Sequence, residues 1–394
     1  MKAALLPGAT GSDGRPVTLG VMGGGQLGRM FVQAAQEMGY FTAVLDPDPT
    51  SPAGLVAHYH IHTDYLDEQG LAQLMQRSAA ITTEFENVPA AALVTLGAHR
   101  VVAPGARAVA VCQDRASEKA QLARCGVPCA PYAVIESAEQ CAAVDPALLP
   151  GILKTSRLGY DSKGQVSVEG AGDLRRAWES LGQVSCVLEK RLALAFEISV
   201  IVARSALGEC VHFPVQRNLH REGILAVTEA PAPGVSDALA AQAVEAARRL
   251  ADDMQYIGVL CVEFFVVDGG TLIANEMAPR PHNSGHYTID ACDVSQFELQ
   301  VRTLAGLPLV SPRLHSAAVM LNLLGDLWFV DGERELTPPW ASVLALPGVR
   351  LHLYGKAHPR RRRKMGHLTV TAADLESARA IAREAAARLG LAPF

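Results

Sequence analysis

Residues 259–286 read VLCVEFFVVDGGTLIANEMAPRPHNSGH. Two apolar runs rich in β-branched and aromatic residues, Val259–Val267 and Thr271–Glu276, flank Asp268-Gly269-Gly270, which is a hairpin signal. A two-residue turn at Gly269-Gly270 pairs Asp268 with Thr271 and sets Glu263 directly opposite Glu276. Like charges ~5 Å apart at Cβ destabilise a sheet and call for a cation. Two carboxylates with open positions suit Mg²⁺, whose remaining ligands are commonly phosphate oxygens. Asn275 falls on the opposite face unless a bulge turns it inward. A three-residue turn would shift the register and leave one Glu facing solvent. The following PRPHNSGH presents Arg280, His282, Asn283 and His286 on a loop expected to be stiff and exposed. Its Arg offers a fork to a small planar anion; the plainer alternative is a capping and turn segment.

Upstream, Arg115–Ala123 reads as a helix with charges on one face, closed by Gly126. Strands at Ile152–Thr155 and Gln165–Val168 are joined by the polar loop SRLGYDSKG, and a further strand pair is expected at Cys186–Glu189 and Glu197–Ala203. Lys154 is placed to neutralise a triphosphate under that loop, and Glu189 and Glu197 to receive adenine or ribose. Sheets and helices without a βαβ rhythm make 113–313 an α+β region. Residues 17–112 alternate strand and helix: VTLGVM, GGGQLG, a helix over Arg29–Met38, then a strand over Phe41–Leu45 ending in DPDP. That rhythm implies a parallel, doubly wound α/β sheet. Gly23, Gly25 and Gly28 fit G-x-G-x-x-G between strand and helix, where backbone N–H groups receive an anion. Asp46 stands where a dinucleotide fold places a ribose-binding acid. A dehydrogenase, a phosphate or substrate site, and simple turn glycines all remain open on this motif alone. Residues 314–394 hold strands near Val319–Leu323 and Val349–Leu353, a basic cluster at Lys356 and Arg360–Lys364, and a closing helix over Ala372–Leu389. The cluster has the size of a phosphomonoester site.

Composition excludes several classes. With 394 residues, 49% apolar and 19% charged, the chain has material for two or three packed domains and is not disordered. A net charge of −5 argues against nucleic-acid binding. No apolar run reaches the ~18 residues of a membrane span. Residues 1–16 lack the apolar stretch of a signal peptide and read as a flexible extension. Eight cysteines without a Cys-x-x-Cys pair predict reduced, mostly buried thiols and a cytoplasmic protein.

Together, VMGGGQLGRM, TTEFENVP, GYDSKGQ, EISVIVAR, NLHREGIL, NEMAPRPHNSGH and RRKMGHL make the chain after residue 17 resemble the 5-(carboxyamino)imidazole ribonucleotide synthetases, purine-biosynthetic members of the ATP-grasp superfamily. The resemblance implies an ATP-grasp fold over 113–313, preceded by a Rossmann-like pre-ATP-grasp domain over 17–112 and followed by a small C-terminal domain over 314–394. It implies a cytoplasmic homodimer that joins 5-aminoimidazole ribonucleotide to bicarbonate through carboxyphosphate, consuming ATP with Mg²⁺ or Mn²⁺. On this resemblance ATP meets Arg115, Lys154, Glu189, Lys190, Arg191, Leu192, Glu197, His220, Asn275 and Glu276. The phosphate loop is Gly159, Tyr160, Asp161, Ser162, Lys163, Gly164 and Gln165, with Tyr160–Gly164 as a lid. Ser162 replaces a Gly common in the family, which restricts the backbone there. Glu263 and Glu276 match the metal ligands, and Arg280, His282 and Asn283 the bicarbonate site, with His282 a candidate proton acceptor. Gln26, Glu84, Tyr160, Asp161, Lys163, Lys356 and Arg363 match the ribonucleotide contacts. The lability of a carbamate product implies hand-over to the mutase that follows. Other readings are a different ATP-grasp ligase, a dinucleotide oxidoreductase and a silent regulatory binder.

Overall fold

The computed structural model of the chain describes residues 4–11, 14–159, 164–330 and 334–394. Tyr160, Asp161, Ser162 and Lys163 of the expected phosphate loop lie outside the described residues.

The first layer is a five-stranded parallel sheet. Its central strand, Thr18–Met22, is buried at every position, as an apolar run covered on both faces must be. The following helix begins at Gln26, three residues before the expected Arg29, because Gly25 is its extended N-cap. Within the N-terminal extension Leu5 is anchored: its N–H donates to Ala305 O (2.8 Å), and Tyr40 Oη donates to Leu5 O (2.6 Å).

A four-stranded antiparallel sheet runs Tyr132–Ile135, Cys186–Lys190, Gly151–Thr155, Gln165–Val168. A nine-stranded sheet carries, from one edge, Thr271–Ala278, Gly258–Val267, Leu194–Arg204, Gln216–Arg221 and Ile224–Ala230, with Cys210–His212 paired beside the end of Leu194–Arg204. It continues without a break into Ala317–Leu324, Lys364–Ala372 and Val349–Leu353, so residues beyond 314 extend the central sheet. The expected pair at 186–189 and 197–203 is thereby corrected. Those strands belong to different sheets, with residues 191–193 crossing from one to the other. Local alternation cannot distinguish a hairpin from a crossover.

The hairpin of Glu263 and Glu276 is also built differently from expectation. The turn has three residues, Asp268–Gly270, and Val267 pairs with Thr271. A regular ladder would then bring Asn275 opposite Glu263. A β-bulge at Asn275 absorbs the extra residue, and Glu263 faces Glu276 after all. Helix Gln296–Ala305, buried along nearly its whole length, packs against the glycine-loop helix, against the parallel-sheet strand Ala80–Thr83 and against the long sheet. It thus fixes the glycine loop relative to the hairpin.

Gly269 has φ 81° and open space around an added Cβ. Gly269→Ala should therefore cost about 1 kcal/mol of unfolding free energy from backbone strain alone. Urea denaturation would measure it, and an unchanged midpoint would show that the positive φ is dispensable.

Candidate active site

Glu263 is buried at the centre of the site. Burial raises its carboxyl to about 7, Glu276 and Glu197 adding to the rise and His220 opposing it. His220 Nδ1 lies 2.6 Å from Glu197 Oε2, and its Nε2 lies 4.0 Å from Glu263 Oε1. Burial alone would lower this imidazole, but the three nearby carboxylates lift it to about 9. Across the hairpin, Arg115 Nη1 reaches Glu276 Oε2 at 3.4 Å, and its Nη2 donates to Gly159 O at 3.4 Å.

Glu189 is held between two lysines, Lys154 Nζ at 3.1 Å and Lys119 Nζ at 3.4 Å. Burial would raise its carboxyl, but the lysines hold it below the usual range. Lys119 was not singled out from the sequence. Its signal was there: it lies four residues after Arg115 on one helix, hence on the same face. The charged helix face faces inward, with Glu118 and Lys119 both buried. Glu197 stands on the long sheet and Glu189 on the small one, so these acids and Lys154 join two sheets in one site.

The PRPHNSGH loop is largely buried, contrary to expectation. Gln296 accounts for this: its Oε1 accepts His282 N–H (2.9 Å), its Nε2 donates to His282 O (2.8 Å), and Nε2 also lies 3.1 Å from His286 Nδ1. No local pattern announces a clamp from the next helix. Arg280 Nε donates to Glu86 Oε2 (2.5 Å), a partner that sequence reading missed although Glu86 alternates with Glu84. His282 Nδ1 accepts from Ser284 N–H (3.3 Å) and lies 2.9 Å from Ser284 Oγ, while Nε2 lies 3.5 Å from Glu263 Oε1. Burial, then Arg280, pushes this imidazole well below its ordinary range.

The glycine loop receives an anion, but that anion is the chain's own. Gly25 N–H and Gly28 N–H donate to Glu84 (3.0 and 3.2 Å), and Gly24 N–H donates to Asp46 Oδ2 (2.6 Å). No room for a pyrophosphate follows from this arrangement. Lys356 Nζ donates to Gln26 Oε1 (2.7 Å), linking the glycine-loop helix to the C-terminal segment. Arg363 Nη1 donates to His358 O (3.0 Å), and Asp48 adds an electrostatic contact. Lys190, Arg191 and Leu192 are at the crossover between sheets; Arg191 is paired outward with Glu169 (2.7 Å). Gly164 and Gln165 lead into the strand Gln165–Val168.

The site fits a divalent ion and its ligand. Two hard carboxylates face each other, and the buried atoms Asn275 Oδ1 and Asn283 Nδ2 have no hydrogen-bond partner among the described residues.

Family models match the three parts in order: a ribonucleotide synthetase preATP-grasp domain over residues 17–113, an ATP-grasp domain over 120–297, and a phosphoribosylaminoimidazole carboxylase C-terminal domain over 318–381. The N5-carboxyaminoimidazole ribonucleotide synthase of Bacillus subtilis is 39% identical over 370 residues, covering 93% of each chain. The chain belongs to this family. The Brucella melitensis synthase is 41% identical over 375 residues, covering 93% of this chain and 98% of its own. Among solved structures, an ADP complex of such a synthetase superposes with TM-score 0.89 at 38% identity, covering 98% of both chains. The Aspergillus clavatus synthase with ADP and 5-aminoimidazole ribonucleotide gives TM-score 0.86 at 29% identity, covering 95% of this chain and 99% of that one. The enzyme is thus an ATP-dependent ligase that uses ATP with Mg²⁺. No helix among the described residues is long and apolar enough to cross a membrane.

A raised carboxyl opposes folding once it ionises. The stability that Glu263 leaves intact below about 4.5 is lost as pH rises through about 7. Without nucleotide or divalent ions, Glu263→Gln should therefore exceed the parent by about 1–3 kcal/mol at pH 8, with little difference at pH 5. Denaturant midpoints at the two pH values test this; a variant less stable at pH 8 would contradict it.

Proposed function

We propose that the enzyme carboxylates the exocyclic amine of 5-aminoimidazole ribonucleotide, using bicarbonate and ATP and passing through carboxyphosphate. The observation that carries the reading is the facing Glu263–Glu276 pair, with the buried loop of Arg280, His282 and Asn283 directly after it.

ATP lies between the two sheets on this reading, its base and ribose toward Glu189, Lys190–Leu192, Glu197 and His220. Arg115, Lys154, Asn275 and residues 159–165 hold its phosphates. Mg²⁺ on Glu263 and Glu276 supplies charge neutralisation to the phosphates as the γ-phosphoryl moves. Asn283 Nδ2 and Arg280 orient bicarbonate. The Glu86 contact and donation from Nη1 to Pro281 O (3.1 Å) fix the guanidinium, and Nη2 meets the anion on this reading. A bicarbonate oxygen attacks the γ-phosphorus and ADP leaves. The amine then attacks the carboxyl carbon, the C–N bond forms, the anhydride C–O bond breaks, and phosphate leaves as the amine gives up a proton. His282, held by Gln296 beside the pair, takes that proton on this reading. The ribonucleotide lies against Gln26, Glu84, Lys356 and Arg363, joined by Tyr160, Asp161 and Lys163 on resemblance. Family resemblance also supports three domains divided near 112 and 313, a homodimer, a cytoplasmic location, and hand-over of the labile carbamate to a mutase.

ADP release should require both bicarbonate and 5-aminoimidazole ribonucleotide for full rate, with carbamate product trapped before it decarboxylates. Glu276→Ala should lower that rate by about two orders of magnitude with the circular dichroism unchanged. Full turnover in that variant would remove the metal assignment, and a response to formate instead of bicarbonate would point to another ligase of the superfamily.

A further inference from the structure

The bulge at Asn275 puts Glu276 opposite Glu263, and something must hold that irregularity. Thr271–Ala278 is the edge strand of the long sheet, so one row of its backbone groups has no ladder partner. Those groups are taken up by residues 115–129. Ala274 N–H donates to Pro128 O (2.7 Å). Asn275 O accepts from Lys119 Nζ (3.2 Å), and Met277 N–H donates to Glu118 Oε1 (2.5 Å). Outward N–H groups at 274 and 277 are three residues apart, whereas a regular strand presents them every second residue. Lys119 therefore grips the extra residue itself, and Glu118 the strand just beyond it. Both side chains are buried, Lys119 completely, and neither belongs to the ligand contacts described above.

We propose that Glu118 and Lys119 are positioning residues whose contacts with Met277 and Asn275 lock the bulge and so set the Glu263–Glu276 pair for its divalent ion. This rests on the metal reading of that pair. Released from the clamp, the strand can slip the bulge away from the turn, which would bring Asn275 opposite Glu263 and turn Glu276 to the other face. Glu118 is the cleaner probe, because Lys119 also touches Glu189.

The test measures Mn²⁺ binding to the full chain with saturating ADP, from the electron paramagnetic resonance signal of free Mn²⁺. Glu118→Met, which removes the acceptor, should weaken Mn²⁺ binding about 10–100-fold, the usual effect of losing an outer-sphere support. Glu118→Gln keeps an acceptor and should bind Mn²⁺ like the parent, and the KM for the ribonucleotide should be unchanged in both. Parent-like Mn²⁺ affinity in folded Glu118→Met overturns the clamp. Should that variant not fold, Glu118→Asp keeps the charge and withdraws the oxygen by one methylene: weakened Mn²⁺ binding supports the clamp, and parent-like binding overturns it. Glu276→Ala is run alongside. Parent-like Mn²⁺ binding there rejects the metal pair itself, whereas its loss beside an unaffected Glu118→Met rejects only the clamp.

Discussion

Two like-charged carboxylates facing each other across an antiparallel ladder are costly unless a cation joins them, and much of this molecule is organised around that pair. Glu263 is buried, with its carboxyl pushed up by that burial. The surrounding cations are committed in part: Arg115 to Glu276, His220 to Glu197, and Arg280 to Glu86. Asn275 Oδ1 and Asn283 Nδ2, without a partner among the described residues, add to the demand for a ligand. A protein that kept such an arrangement for stability alone would do better with apolar residues of similar volume.

The site depends on the sheets meeting where they do. Glu189 and Lys154 come from the four-stranded sheet, and Glu197, Glu263 and Glu276 from the nine-stranded one. Lys119 reaches both, through Glu189 and Asn275 O. Helix Gln296–Ala305 adds a third connection: its first residue fixes the His282 loop, while Gln300 donates to Thr82 Oγ1 (3.1 Å) in the parallel sheet. Lys356 closes the assembly from the C-terminal segment by donating to Gln26.

What could be read from sequence was what is local. The strand at Phe41–Leu45 and the hairpin were legible because a short continuous apolar run and a Gly-Gly turn are encoded within a few residues. The acidic pairing was reached with the wrong turn length, since an added turn residue and a bulge cancel in register. The small sheet and the long sheet were not separable, because Cys186–Lys190 and Leu194–Arg204 look alike as neighbouring strands. Lys119 and Glu86 escaped notice because their partners lie far along the chain, as Asn275 lies 156 residues from Lys119, and Gln296 because no local pattern marks an amide that clamps a loop 14 residues upstream. The docking of Leu5 on Ala305 was invisible for the same reason.

The most direct measurement is the anomalous scattering of Mn²⁺ in crystals grown with ADP. The account predicts a peak between the carboxylates of Glu263 and Glu276, against the nucleotide's terminal phosphate. A peak bound to other side chains, with these two carboxylates turned away from it, would contradict the account.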